Sequence, residues 1–148
     1  MRCEICGGVL GKIVVSLPLK KRDGSLNTLA CLKCAKKSSV YCKKHRKPHL
    51  GFIDDTTACV ACIEEMVAKN RPKEINIYNN LRQNLPSAEF ERLLDWADVS
   101  SFITKNSRKT CILRAIATRA IRSKQDIEAV FEKIMNDKSV NYILPLKE

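Results

Sequence analysis

Residues 31–62 read CLKCAKKSSVYCKKHRKPHLGFIDDTTACVAC. This stretch decides the fold because it holds three ligand pairs of one spacing: Cys31-x-x-Cys34, Cys42-x-x-His45 and Cys59-x-x-Cys62. A fourth pair, Cys3-x-x-Cys6, is separated from Cys31 by 24 residues. Two residues between ligands let a tight turn aim both side chains at one ion while its backbone amides support the thiolates. Two such turns complete the tetrahedron that zinc prefers, so eight ligands make two closed, structural sites. The expected cofactor is two zinc ions, held by Cys3, Cys6, Cys31, Cys34, Cys42, His45, Cys59 and Cys62. Iron–sulfur ligation is the minor alternative, and His45 argues against it.

The spacing leaves two points open. A sequential arrangement joins Cys3, Cys6, Cys31 and Cys34 on one ion and the remaining four on the other. A cross-braced arrangement joins Cys3, Cys6, Cys42 and His45 against Cys31, Cys34, Cys59 and Cys62. The 24 residues between the first two pairs can close a ribbon locally, which favours the sequential form. His49, four residues beyond His45, could replace it or stand beside the site; His45 keeps the two-residue spacing and is preferred.

Working outward, Gly7-Gly8 follows the opening pair, and residues 9–19 are rich in Val, Ile and Leu. Residues 21–25, with Asp23-Gly24 as the cue, read as a turn leading to residues 26–30, hence a β-hairpin. Residues 59–69, CVACIEEMVAK, read as a knuckle running into a short helix. Seven of the eight cysteines fall within these first 62 residues. Long apolar helical stripes appear only after them, so a metal substitutes for a core in the first half, and chelation is expected to unfold it. The predicted fold class is a small zinc-organised α+β module (hairpin, knuckles, short helix) over residues 1–70, followed by a compact all-α bundle of about four helices over 71–148. Pro72 suits the breakpoint.

In the second half, residues 72–84 carry Ile75, Ile77, Tyr78 and Leu81. Ser87 is placed to cap the next helix, whose stripe is Phe90, Leu93, Leu94 and Ala97, with Trp96 beside it. A third helix spans residues 108–122. Ser123 followed by Asp126 approximates a capping box for a fourth, with Ile127, Val130, Phe131, Ile134 and Met135 on one face. Residues 140–146 read as a short extended tail. Cys111, among Ile112, Leu113 and Ile116, reads as a buried thiol.

Four ligand pairs with a short central gap resemble the cross-braced zinc families. Cys3-Glu4-Ile5-Cys6 resembles the opening of a RING finger, and that resemblance implies a partner-facing role for Ile5. The segment Cys42-Lys43-Lys44-His45-Arg46 is similar to AN1-type and B-box fingers. The resemblance covers residues 3–62 and uses motifs common to treble-clef modules. It departs from the RING pattern in the seven residues between Cys34 and Cys42, in a histidine that comes late in the order, and in Val60, where a proline is usual.

Lys and Arg number 27 against 16 acids, a formal +11. The excess lies in two acid-free blocks. Between residues 24 and 53, Lys33, Lys36, Lys37, Lys43, Lys44, Arg46 and Lys47 supply +7. Between residues 99 and 124, Lys105, Arg108, Lys109, Arg114, Arg119, Arg122 and Lys124 supply another +7. Two zinc sites with seven thiolates lower the total to roughly +8. Blocks 33–47 and 105–124 therefore point to phosphate contacts with a duplex or structured RNA, since aromatic side chains for base stacking are scarce. The candidate contacts are Lys36, Lys37, Lys43, Lys44, Arg46, Lys47, Arg108, Arg114, Arg119 and Arg122.

Several classes are excluded. With 45 % hydrophobic residues, the composition is not that of a disordered chain. No stretch approaches the ~18 uninterrupted apolar residues of a membrane span, and residues 1–22 lack a signal peptide's apolar core. The thiols then point to an intracellular, reducing compartment. No nucleophile–base set or phosphate loop occurs outside the ligand pairs, so no enzyme activity is expected. The alternative to nucleic acid is a protein-interaction module, such as a divergent RING-like ubiquitin ligase or adaptor; a third reading makes the helical half an oligomerisation unit.

Overall fold

The computed structural model describes residues 1–19, 25, 27–51 and 57–144. The chain packs as two compact units, Met1–Cys62 and Ile63–Glu148. Each can be built from its own residues.

In the first unit, strands β1 (Val14–Leu17) and β2 (Thr28–Cys31) pair antiparallel, with Val14 opposite Cys31 and Leu17 opposite Thr28. The expected hairpin is present, while its turn at residues 21–24 lies outside the described residues. Helix α1 (Leu32–Lys37) follows directly. Two two-residue-deep pairings, β3 (Tyr41–Cys42) with β4 (Lys47–Pro48) and β5 (Leu50–Gly51) with β6 (Thr57–Ala58), and a lone bridge from Arg2 to Val9 complete the ladders among the described residues of the unit. Strands this short do not stand alone in water. The buried cluster beneath them consists of Cys3, Leu17, Ala30, Ala35, Val40 and Tyr41. It contains one tyrosine, one leucine, one valine and two alanines, a thin core for some sixty residues, and its sixth member is a ligand thiol. Helix α2 (Val60–Asn70) begins in this unit and continues into the second.

The second unit is helical. A 3-10 turn (Arg71–Lys73), with Pro72 in its first positions, leads into α3 (Glu74–Asn84). Then follow α4 (Ser87–Thr104), α5 (Arg108–Ser123) and α6 (Ile127–Asp137). Helix α5 is the hub: it packs against α3, α4 and α6. Its Ile112, Leu113, Ile116, Ala117 and Ala120 are all at most 1 % exposed. Small residues at 115, 117 and 120 let neighbours approach on several sides.

The structure corrects four local expectations. Ser87 is not a cap; Pro86 holds the N-cap position of α4 without a side-chain bond. Ser123 closes α5, and Asp126 alone caps α6 by accepting the Ala129 N–H at 2.8 Å. Ile75 is exposed, because it stands two positions from Ile77, which places it on nearly the opposite side of α3. Residues 140–144 are a turn, with the amides of Ile143 and Leu144 both donating to Val140 O. Val140 and Leu144 are buried by that turn, which an extended tail would not achieve; residues 145–148 lie outside the described residues.

Candidate metal centres

The two pairs nearest in sequence come together in each case. Cys3, Cys6, Cys31 and Cys34 form one group, and Cys42, His45, Cys59 and Cys62 the other, with ligand atoms in each group all within 4.8 Å of one another. The pairing is thus sequential, and the cross-braced combination of Cys3 and Cys6 with Cys42 and His45 does not occur. Hairpin β1–β2 is the reason: it returns the chain so that Cys31 stands opposite Val14, and the amides of Glu4 and Cys31 tie the first knuckle to the end of β2. Glu4 N donates to Leu29 O at 2.9 Å, and Cys31 N donates to the Cys3 sulfur at 3.3 Å.

Both centres are built on one plan. A tight turn carries the first pair, and a helix start carries the second: Cys31 and Cys34 at α1, Cys59 and Cys62 at α2. A helix N-terminus favours the negative charge of a thiolate. Each turn ends in a left-handed residue immediately after its second ligand, Gly7 (φ 75°) after Cys6 and Arg46 (φ 55°) after His45. Glycine adopts that conformation without penalty, whereas arginine is strained there. The adjacent Gly8 serves a different need: its amide donates to the Cys6 sulfur at 3.4 Å, and a Cβ there would stand 3.3 Å from that sulfur.

Distances in the second centre test the donor set. The His45 Nδ1 lies 3.3 Å from the Cys42 sulfur, 3.5 Å from Cys59 and 3.3 Å from Cys62, while the Cys42 and Cys62 sulfurs are 3.8 Å apart. A tetrahedral zinc with bonds of about 2.3 Å to sulfur and 2.0–2.1 Å to nitrogen has S···S edges near ~3.8 Å and S···N edges near ~3.5 Å. The four atoms already describe that tetrahedron, and all eight cysteines are free thiols without a disulfide among them. The two groups can each hold one zinc ion, with His45 ligating through Nδ1.

His49 is elsewhere. Its Nδ1 shares a 2.9 Å hydrogen bond with the Thr57 hydroxyl, its amide donates to Val40 O, and burial lowers its pKa. It fastens β4–β5 to β6 just before Cys59. Thr57 and Glu4 are the supporting residues that the ligand spacing does not reveal; Glu4 accepts from the Leu29 amide at 3.1 Å, and nothing in the sequence pattern marks either.

The thiols within a group are electrostatically unequal. Amide donors, Cys6 first and then Cys31, lower the Cys3 pKa to about 6. Hydrogen bonding with Cys31, followed by burial, pushes Cys34 up to about 12. In the other group, burial opposes ionisation of Cys42, but the His45 amide and side chain together with Cys59 and Cys62 bring it down to about 7. Burial first, then bonding with Cys42 and Cys59, raises Cys62 to about 12. In each group one thiol is lowered and another raised, and a divalent cation, which binds thiolates, removes that conflict.

The basic residues divide by environment. Lys33, Lys36, Lys37, Lys43, Lys44, Arg46 and Lys47 are all exposed. On α5, Arg114 lies 3.6 Å from Glu64 and Arg108 lies 2.9 Å from Asp98. Arg119 donates to Tyr142 O at 2.6 Å and lies over the Tyr142 ring, and Lys109 lies over the Tyr78 ring. The candidate phosphate contacts Arg108, Arg114 and Arg119 are therefore already occupied by intramolecular partners. Cys111 is buried among helices, next to Thr104, as its apolar neighbours imply.

The fold and its two Cys/His groups define a double zinc-binding module followed by a helical unit. No family model, curated protein or solved structure matches the chain. No helix among the described residues is long and apolar enough to cross a membrane.

Proposed function

We propose that the protein is a non-catalytic, intracellular zinc-binding protein that contacts nucleic acid, led by block 33–47 and assisted by block 105–124. The observation that carries this reading is the exposure of all seven cations of the first block, on α1 and on the Cys42–His45 turn, where two metal centres would fix the backbone. A rigid scaffold presenting exposed cations suits phosphates, and no sequence reading is required of it. In the second block, the exposed Lys105 and Lys124 are the better candidates; Arg108, Arg114 and Arg119 are engaged by Asp98, Glu64 and the Tyr142 carbonyl. Four protein ligands at each ion leave no open coordination position, which supports a structural role for the metal.

The test is binding of the zinc-loaded protein to a duplex and to an RNA hairpin across a salt series. Each phosphate contact contributes about −0.9 to the slope of log affinity against log salt for a duplex. The triple variant K33E/K36E/K37E should lose most of the affinity and flatten the slope; binding unchanged by that variant sinks the reading.

A protein-interaction role is the second reading, supported by Ile5, which stands 48 % exposed between two ligands. The sequential pairing departs from the cross-brace of RING fingers. A ubiquitin-transfer assay separates the two, being positive and Ile5-dependent only under the second.

A further inference from the structure

We propose that the protein forms an antiparallel homodimer through the outer face of α4. Val99, Phe102 and Ile103 are 62 %, 86 % and 71 % exposed. At spacings of three and four residues they form one stripe along the helix, with the half-buried Trp96 at its margin. Their opposite neighbours, Phe90, Leu93 and Ala97, already face the core, so α4 is apolar on two sides. A contiguous apolar patch of this kind marks an interaction surface.

Charge order along the helix selects the occupant. Asp95 lies on the stripe's N-terminal end and Lys105 caps its C-terminal end; both are exposed and neither has an ion-pair partner among the described residues. They stand five residues either side of Ser100, about 7.5 Å along the axis in each direction. A second copy laid antiparallel about that point sets Asp95 of each chain against Lys105 of the other, with the three apolar side chains enclosed between the two pairs. Parallel packing would oppose like charges at both ends. An isologous two-fold interface requires such self-complementarity. Arg92, also on this face, is already held by Glu89 and Asn141 and leaves the centre of the stripe uncharged.

The experiment is light scattering on the full-length, zinc-loaded chain over roughly a hundredfold dilution, wide enough to bracket a dissociation constant from both sides. The wild-type chain should pass from monomer to dimer, and F102D should remain monomeric with an unchanged circular dichroism spectrum. D95K and K105D should each be monomeric alone, because both end contacts of either homodimer become repulsive. Mixed in equal amounts they should form a heterodimer, in which both end contacts are again attractive. A wild-type chain monomeric throughout, an F102D dimer, or a mixture that stays monomeric overturns the proposal. None of these readings depends on nucleic acid.

Discussion

At the scale of single residues, His45 and His49 show what spacing can and cannot tell. Both sit among lysines four residues apart, and only the two-residue interval to Cys42 marks His45 as a ligand. The structure places His45 Nδ1 within 3.5 Å of three sulfurs and gives His49 to Thr57. Replacing His45 with alanine should reduce the metal content from two ions to one, whereas His45→Cys should keep both by completing a four-thiolate site. His49→Ala should keep both ions. Loss of an ion from the His49 variant in a metal assay would contradict the assignment.

Proton linkage belongs to the same scale. In the metal-free chain Cys34 and Cys62 carry protons up to about pH 12, while Cys3 and Cys42 lose theirs near 6 and 7. Zinc binds thiolates, so loading at neutral pH must displace protons, and affinity must rise with pH. As pH falls through about 7 and then 6, Cys42 and Cys3 also take up protons and the dependence steepens. Calorimetric titration in buffers of different ionisation enthalpy should show this release; heats independent of buffer would refute it.

At the scale of elements, the caps give the cleanest contrast. Ser107 caps α5 by accepting the Thr110 amide at 3.2 Å, whereas Ser87 makes no cap bond and Pro86 holds the N-cap position of α4. Ser107→Ala should cost about 1 kcal/mol of helical-unit stability, and Ser87→Ala should stay within about 0.5 kcal/mol, as an ordinary surface change does. Thermal unfolding of the two variants checks the pair, and equal losses would show that the caps are misassigned. The sequence misleads by one position: Ser87 is the first helical residue, where its hydroxyl is not placed to accept the second- or third-residue amide, and the cap position itself falls to Pro86, whose ring carries no acceptor.

The helices themselves were legible because a 3.6-residue period survives in sequence, clearly for Ile127, Val130 and Ile134. The place of α5 was not. A helix with cations at 108, 114, 119 and 122 reads as amphipathic with an open basic face, yet α5 is the hub of the bundle, and Glu64, Asp98 and the Tyr142 carbonyl receive three of those four side chains. Partners so distant in sequence leave no periodic trace. The exposed stripe on α4 was hidden for a related reason: Val99, Phe102 and Ile103 look like core until Phe90, Leu93 and Ala97 are seen to fill it.

At the scale of the molecule, the ligand pairs were readable from local geometry alone, since a two-residue turn fixes two ligands wherever it occurs. Which turns meet depends on hairpin β1–β2 and on the bonds from Glu4 and Cys3 to the end of β2, and these are tertiary facts. Sequential wiring of two zinc ions therefore makes a definite forecast for native mass spectrometry of paired ligand variants. The wild-type chain should carry two zinc ions. C3S/C31S removes two ligands from one centre and should retain one ion, while C3S/C42S damages both centres and should retain none. The reverse result, none for C3S/C31S and one for C3S/C42S, would establish a cross-brace and contradict the account.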